Sequence, residues 1–230
     1  MTDPTPSRFG RPAEALRRFV AVPLRPQTYR NLAYLALAFP LGLAYFVGAT
    51  VGLSLGAGLL ITWFGLPILV VTLAGATLVA GFEARLAHGL LGVDVALPEA
   101  LRGFDPADAV VVPGDGVLAS IKRLLVAPTT WTSLLLVLLK FAFGVVAFTA
   151  LATAASVAAS AIAAPLLYDA PYATYRFGSV VIDSLPAALA VGVGGVLLTL
   201  SALHLLNALA RLGGVLTVSL LSVDGAESPA

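Results

Sequence analysis

This chain has no cysteine, one methionine and two histidines. Without cysteine there can be no disulfide, no thiolate metal site and no acylated anchor. The histidines, His88 and His204, lack any HExxH-type spacing, so no metal site is expected. GxSxG, P-loop and dinucleotide-binding patterns are missing too, so no catalytic residue and no cofactor is expected. Charge is scarce above all. Asp, Glu, Lys and Arg make up 11% of the residues, less than half the roughly 25% of a soluble domain.

Apolar residues fill the space that charge leaves. Between Arg30 and Glu83 run 52 residues without one charged side chain. As one helix they would extend about 78 Å at ~1.5 Å per residue. A bilayer core needs only about 20 apolar residues per crossing. The stretch must therefore cross twice, and "FGLP" (Phe64 to Pro67) is the Gly/Pro signal placed to turn it. From Leu124 to Tyr168 only Lys140 is charged, and from Ser184 to Ala210 nothing is. These runs predict an all-α, polytopic membrane protein with spans near 32–62, 67–88, 131–163 and 186–210. Continuous apolar runs exclude a barrel, whose strands alternate.

The few charges set an expected topology. Six arginines (8, 11, 17, 18, 25 and 30) precede the first span against two acids, and Arg85, Arg102, Lys122 and Arg123 lie near or within the segment joining spans two and three. The FGLP turn has no basic residue and the last loop only Arg176. The positive-inside rule then places both termini and residues 92–128 in the cytoplasm of a multi-pass cell-membrane protein. Arginines this close to a span fix topology, so nucleic acid is not an expected partner. Residues 1–30 are polar and basic and carry no short apolar region with a cleavage site, so no signal peptide is expected.

The chain also repeats itself. At an offset of 102, residues 26–54 align with 128–156 without a gap, with eight identities that include Pro26/Pro128, Phe39/Phe141, Gly42/Gly144 and Phe46/Phe148. The expected organisation is a basic segment at 1–25, a membrane domain over 26–215 and a polar tail at 216–230. Two tandem, like-directed hairpins, about 26–92 and 128–214, would make up the domain, with a cytoplasmic loop at 93–127 between them. Their pseudo-twofold axis should follow the membrane normal, as in parallel-repeat membrane proteins. Each repeat opens with an amphipathic lead-in; in 117–125 the stripe is Val117, Leu118, Ile121, Leu124 and Leu125. Gly48, Gly52 and Gly56, matched by Ala150, Ala154 and Ala158, are the expected close-packing stripes.

Few residues can carry function. Glu83, Lys140, His204, Asn207 and Arg211 lie near the inner ends of the spans and form a candidate intramembrane polar cluster. Such residues either respond to ligand or pH, or anchor helix ends at the interface. By helical rise, Glu83 and Lys140 reach similar depths, so each is the natural partner of the other. Tyr168, Asp169, Tyr172, Tyr175 and Arg176 in the last loop are either an interfacial aromatic belt or a lid meeting an external ligand.

Pro-x-Thr-aromatic, then "NLAYLALAFPLGLAYF", "GLSLGAGLLITWFGLPIL" and "RLAHGLLGV" resemble the family described as the putative sensor domain. This is a four-helix membrane module often joined to bacterial histidine kinases. The resemblance covers about residues 25–215, with "FPLGLAYF" and "GLPIL" its most specific parts. It implies a non-enzymatic sensor or signal-transducing module, and it brings no established ligand or catalytic residue. Only 19 residues follow Arg211, so no kinase domain is expected within this sequence. The implied partners are the lipid bilayer, a separate kinase or regulator protein and, as an option, a second copy of the chain. A small transporter or a structural scaffold is the alternative.

Overall fold

A computed structural model describes residues 10–92, 128–170 and 176–221. The loop 93–127, with its 117–125 stripe, lies outside the described residues, as do Tyr172 and Tyr175.

The described residues are overwhelmingly helical. A short helix α1 (Gly10–Val20) is followed by a 3-10 turn (Val22–Leu24). Then come α2 (Pro26–Gly58), α3 (Gly65–Leu91), α4 (Pro128–Leu167) and α5 (Leu185–Leu221). Arg176–Phe177 and Val180–Val181 pair as a two-residue antiparallel ladder before α5. α2 to α5 are each long and apolar enough to cross a membrane. Only 11% to 28% of their most apolar windows is buried within the protein, so most of that surface must meet hydrocarbon or another chain. The chain is a multi-pass membrane protein.

Two boundaries differ from the sequence expectation. The reversal between α2 and α3 falls at residues 59–64, before the Gly/Pro pair. Phe64 is the N-cap of α3, and Gly65, Leu66 and Pro67 form its first turn. Proline is tolerated there because a first-turn N–H has no intrahelical acceptor to lose. Gly65 is needed for a different reason. A Cβ at this position would run into the Leu60 nitrogen and the Leu59 carbonyl carbon. The fourth span also runs on to Leu221 rather than stopping near 210, because "LGGVLTVSLL" after Arg211 is as apolar as what precedes it. α3 ends cleanly: Gly92 adopts φ +66 and its N–H bonds the His88 carbonyl at 3.0 Å.

The contacts divide the chain into two units. One comprises Met1–Leu32 with Thr149–Ala208; the other comprises Ala33–Phe148 with Leu209–Ala230. In the first unit α4 packs on α5 through glycine. An added Cβ would stand 2.8 Å from Ala161 Cβ at Gly195 and 3.1 Å from the Pro165 ring at Gly192.

The second unit holds the α2–α3 hairpin together with the amino-terminal half of α4. A Cβ at Gly52 would overlap Thr72, and one at Gly56 would stand 2.6 Å from Leu69. Here α2 meets α4 reciprocally. Phe39 stacks on Phe148 at 5.1 Å and Phe46 on Phe141 at 4.5 Å. A Cβ at Gly42 would be 2.8 Å from the Lys140 carbonyl oxygen, and one at Gly144 would be 2.5 Å from that of Ala38. Phe39/Phe141, Phe46/Phe148, Gly42/Gly144 and Ala38/Lys140 are all mates at the offset of 102. Residue i touching the mate of j, and j the mate of i, is the contact pattern that a twofold relation requires.

Candidate functional site

Three helices of the second unit converge on one buried charge pair. Lys140 of α4 and Glu83 of α3 are 5% and 2% exposed, and Lys140 Nζ lies 2.5 Å from Glu83 Oε2. Lys140 Nζ also donates to the Tyr34 hydroxyl of α2 at 2.6 Å and sits 4.9 Å from the centre of that ring. Tyr34 is itself buried against Phe143, with ring centres 6.4 Å apart. Isolated, either charge would be costly in hydrocarbon. Paired, they present zero net charge, and Tyr34 supplies one of the further hydrogen bonds that a buried ion pair needs.

The cage is incomplete on one side. Glu83 Oε2 receives the ion pair but no donor in good hydrogen-bond geometry, and the buried Tyr45 hydroxyl beside it reaches the carboxylate only in imperfect geometry. Tyr45 nevertheless lies close enough to Glu83 for the two to interact electrostatically. A polar group left this way in an apolar interior is a point of low stability.

The other polar residues singled out from sequence have other partners. His204 and Asn207 belong to the first unit. There His204 stacks on Phe19 of α1 at 4.8 Å, with its Nε2 3.3 Å from the Phe19 carbonyl oxygen. Asn207 accepts from Asn31 Nδ2 at 2.7 Å and donates to Thr28 Oγ1 at 3.2 Å, while Thr28 donates to the Val22 carbonyl at 3.0 Å. That chain of bonds ties the lead-in and the start of α2 to α5. Arg211 is exposed. The five expected cluster members thus separate into a charge pair, a lead-in anchor and a surface arginine. They share inner-end positions in the sequence but not partners.

The packing stripes also divide. Gly52 and Gly56 face α3, whereas a Cβ at Gly48 meets nothing within 4 Å. Ala158 is buried, and Ala150 and Ala154 are partly so. In the last loop Tyr168 is half-buried while Asp169 and Arg176 are exposed. Among the described residues no group of three or more His, Cys, Asp or Glu side chains is placed to hold a metal.

Sequence reasoning missed Tyr34, Tyr45, Phe19, Thr28 and Asn31. One signal was available for Tyr34: it lies one helical turn before Ala38, the repeat mate of Lys140. A family model described as "Putative sensor" matches residues 34–221. The chain belongs to that family. No curated protein and no solved structure matches it. The matched segment begins at Tyr34 and contains the whole Tyr34–Glu83–Lys140 constellation of this sensor-family module.

Proposed function

We propose that this chain is a non-enzymatic membrane sensor module that passes a change within its spans to a separate kinase or regulator protein. Both termini and residues 93–127 then face the cytoplasm, where such a partner is met. Family membership supports the sensing role. The single observation that carries it further is the Tyr34–Lys140–Glu83 linkage, because one lysine joins α2, α3 and α4. A signal needs an element with two arrangements that a stimulus can bias. A buried ion pair suits that need, since the loss of either partner leaves the other uncompensated.

Crosslinking in native membranes, with the captured proteins identified, tests this reading. Recovery of a kinase or a transcription regulator, lost in Lys140→Ala at equal protein level, is the expected result. Recovery of a transport ATPase instead would overturn it in favour of a permease subunit. Terminal reporter fusions test the orientation, and activity only outside the cell would refute it.

A further inference from the structure

The apolar side of α1 is only half covered. Phe19 stacks on His204 of α5, whereas Leu16 and Val20, one turn apart on the same side of the helix, are 64% and 52% exposed. Leu24 in the turn that follows and Tyr29 in the first turn of α2 are exposed as well. Arg17, Arg18, Arg25 and Arg30 are interleaved with these residues and are all exposed. Over residues 14–30 the four arginines meet one acid, Glu14, whose carboxylate pairs with Arg18.

This surface lies where the first span begins. Five residues, 21–25, join α1 to α2, and fully extended they reach at most about 18 Å. The arm is also tied down. Asn207, one turn beyond His204 on α5, bonds Thr28 and Asn31 in the first turns of α2, and Thr28 bonds the Val22 carbonyl in the joining turn. α1 therefore stays at the bilayer surface. An acidic protein or a nucleic acid would answer the arginines there but leave Leu16, Val20 and Leu24 with nothing apolar to enter. Hydrocarbon would cover the leucines and valine but offer the arginines nothing. The headgroup layer supplies both, with phosphate oxygens for guanidinium groups and the acyl boundary just beneath. Tyrosine also favours that level. Four arginines against one carboxylate leave an excess of three positive charges (4 − 1), which favours a leaflet of net negative charge.

We propose that α1 and the turn after it form a binding surface for anionic phospholipid headgroups. Leu16, Val20 and Leu24 enter the acyl boundary, and the arginines hold the phosphates. The Phe19–His204 stack links this attachment to α5, so the charge of the leaflet becomes the quantity that the module reports. That consequence rests on the sensor reading, whereas lipid binding itself does not.

Because the chain has no cysteine, a single fluorophore can be placed cleanly. Val20→Cys carries a polarity-sensitive dye in the full-length protein, held in nanodiscs of phosphatidylcholine or of phosphatidylglycerol. The two emission lifetimes of the dye give the ratio of lipid-attached to water-exposed label. Each arginine near an anionic surface strengthens attachment by about five-fold. The ratio should therefore be at least about five-fold higher in phosphatidylglycerol, fall about five-fold in Arg17→Gln, and fall again when Arg25→Gln is added. A dye at Glu14→Cys, on the charged side of α1, should stay in water in both lipids. A ratio equal in the two lipids, or unmoved by the arginine changes, overturns the site and points to a protein surface, a second copy included, over α1. Burial of the Glu14→Cys dye with the Val20→Cys dye left in water overturns it too. Leu16→Cys repeats the reading should Val20→Cys disturb the helix. A negative result leaves the partner-capture test standing, and a failed capture leaves the lipid result standing.

Discussion

The two hairpins achieve the same close approach with glycine on opposite strands of the pair. In the α2–α3 hairpin the outgoing helix is thinned, with Gly52 and Gly56 against Thr72 and Leu69. In the α4–α5 hairpin the returning helix is thinned, with Gly192 and Gly195 against Pro165 and Ala161. Close packing in lipid needs a missing side chain at each contact layer, and it does not matter which helix omits it. A second contrast concerns charge. Tyr34, Tyr45 and Lys140 have the repeat mates Leu136, Ala147 and Ala38, all buried and apolar. Each of these polar groups therefore faces an apolar mate, Tyr34 and Tyr45 in the first hairpin and Lys140 in the second, so the repeated pattern does not itself call for them.

Removing the lysine should have the largest effect. Lys140→Ala leaves Glu83 buried and uncompensated and should destabilise by about 3–5 kcal/mol. Lys140→Ala with Glu83→Ala should recover much of that loss, since Ala38 already occupies the mate of position 140. Unfolding in mixed micelles across the double-mutant cycle measures the coupling, and purely additive effects would mean that the two residues do not interact.

The hairpin contrast is sharpened by comparing Gly195→Ala with Gly56→Ala. At Gly195 the new methyl meets Ala161 Cβ at 2.8 Å and the Ile162 nitrogen at 2.9 Å. Backbone cannot step aside, so a loss of about 1–3 kcal/mol is expected. At Gly56 the two nearest atoms belong to the Leu69 side chain, which can change rotamer, so the loss should be smaller. Equal losses would show that the hairpins are equally rigid at these layers.

The α-helical class and the four apolar spans could be read from sequence because lipid imposes them: 52 uncharged residues have no soluble alternative. The Lys140–Glu83 pairing was legible because helical rise fixes depth and an intramembrane charge seeks its opposite. The partners of His204 and Asn207, Phe19, Asn31 and Thr28, were not, since depth says nothing about which way a helix face points. Tyr34 and Tyr45 were hidden for a related reason. Tyrosine in an apolar run reads as ordinary core until a partner's position is known. The turn before Phe64 was misplaced because proline ends a helix and opens one equally well.

Asn207→Ala tests the lead-in anchor of the first unit. It breaks the bonds to Asn31 and Thr28, yet such bonds within membrane proteins average only about 0.6 kcal/mol, with a maximum near 1.7. A loss of about 1 kcal/mol is expected for the pair. Greater protease sensitivity of residues 10–32, with little change in global unfolding, would place the effect in the lead-in. A loss above about 3 kcal/mol would mean that the network supports far more than these bonds.

The smallest effect is expected at Gly48, and its sign is what matters. A methyl placed there meets nothing within 4 Å, whereas one at Gly52 overlaps Thr72. The two glycines are one helical turn apart and look equivalent in the sequence. Replacing an unconstrained helical glycine by alanine typically stabilises by about 0.4–1 kcal/mol, chiefly by restricting the unfolded chain. Gly48→Ala should therefore raise the unfolding midpoint slightly, while Gly52→Ala lowers it. A destabilising Gly48→Ala would mean that another surface, a second chain included, closes over this position. Opposite signs one turn apart would establish that the stripe is not uniform, with Gly52 needed to bring α3 close and Gly48 not.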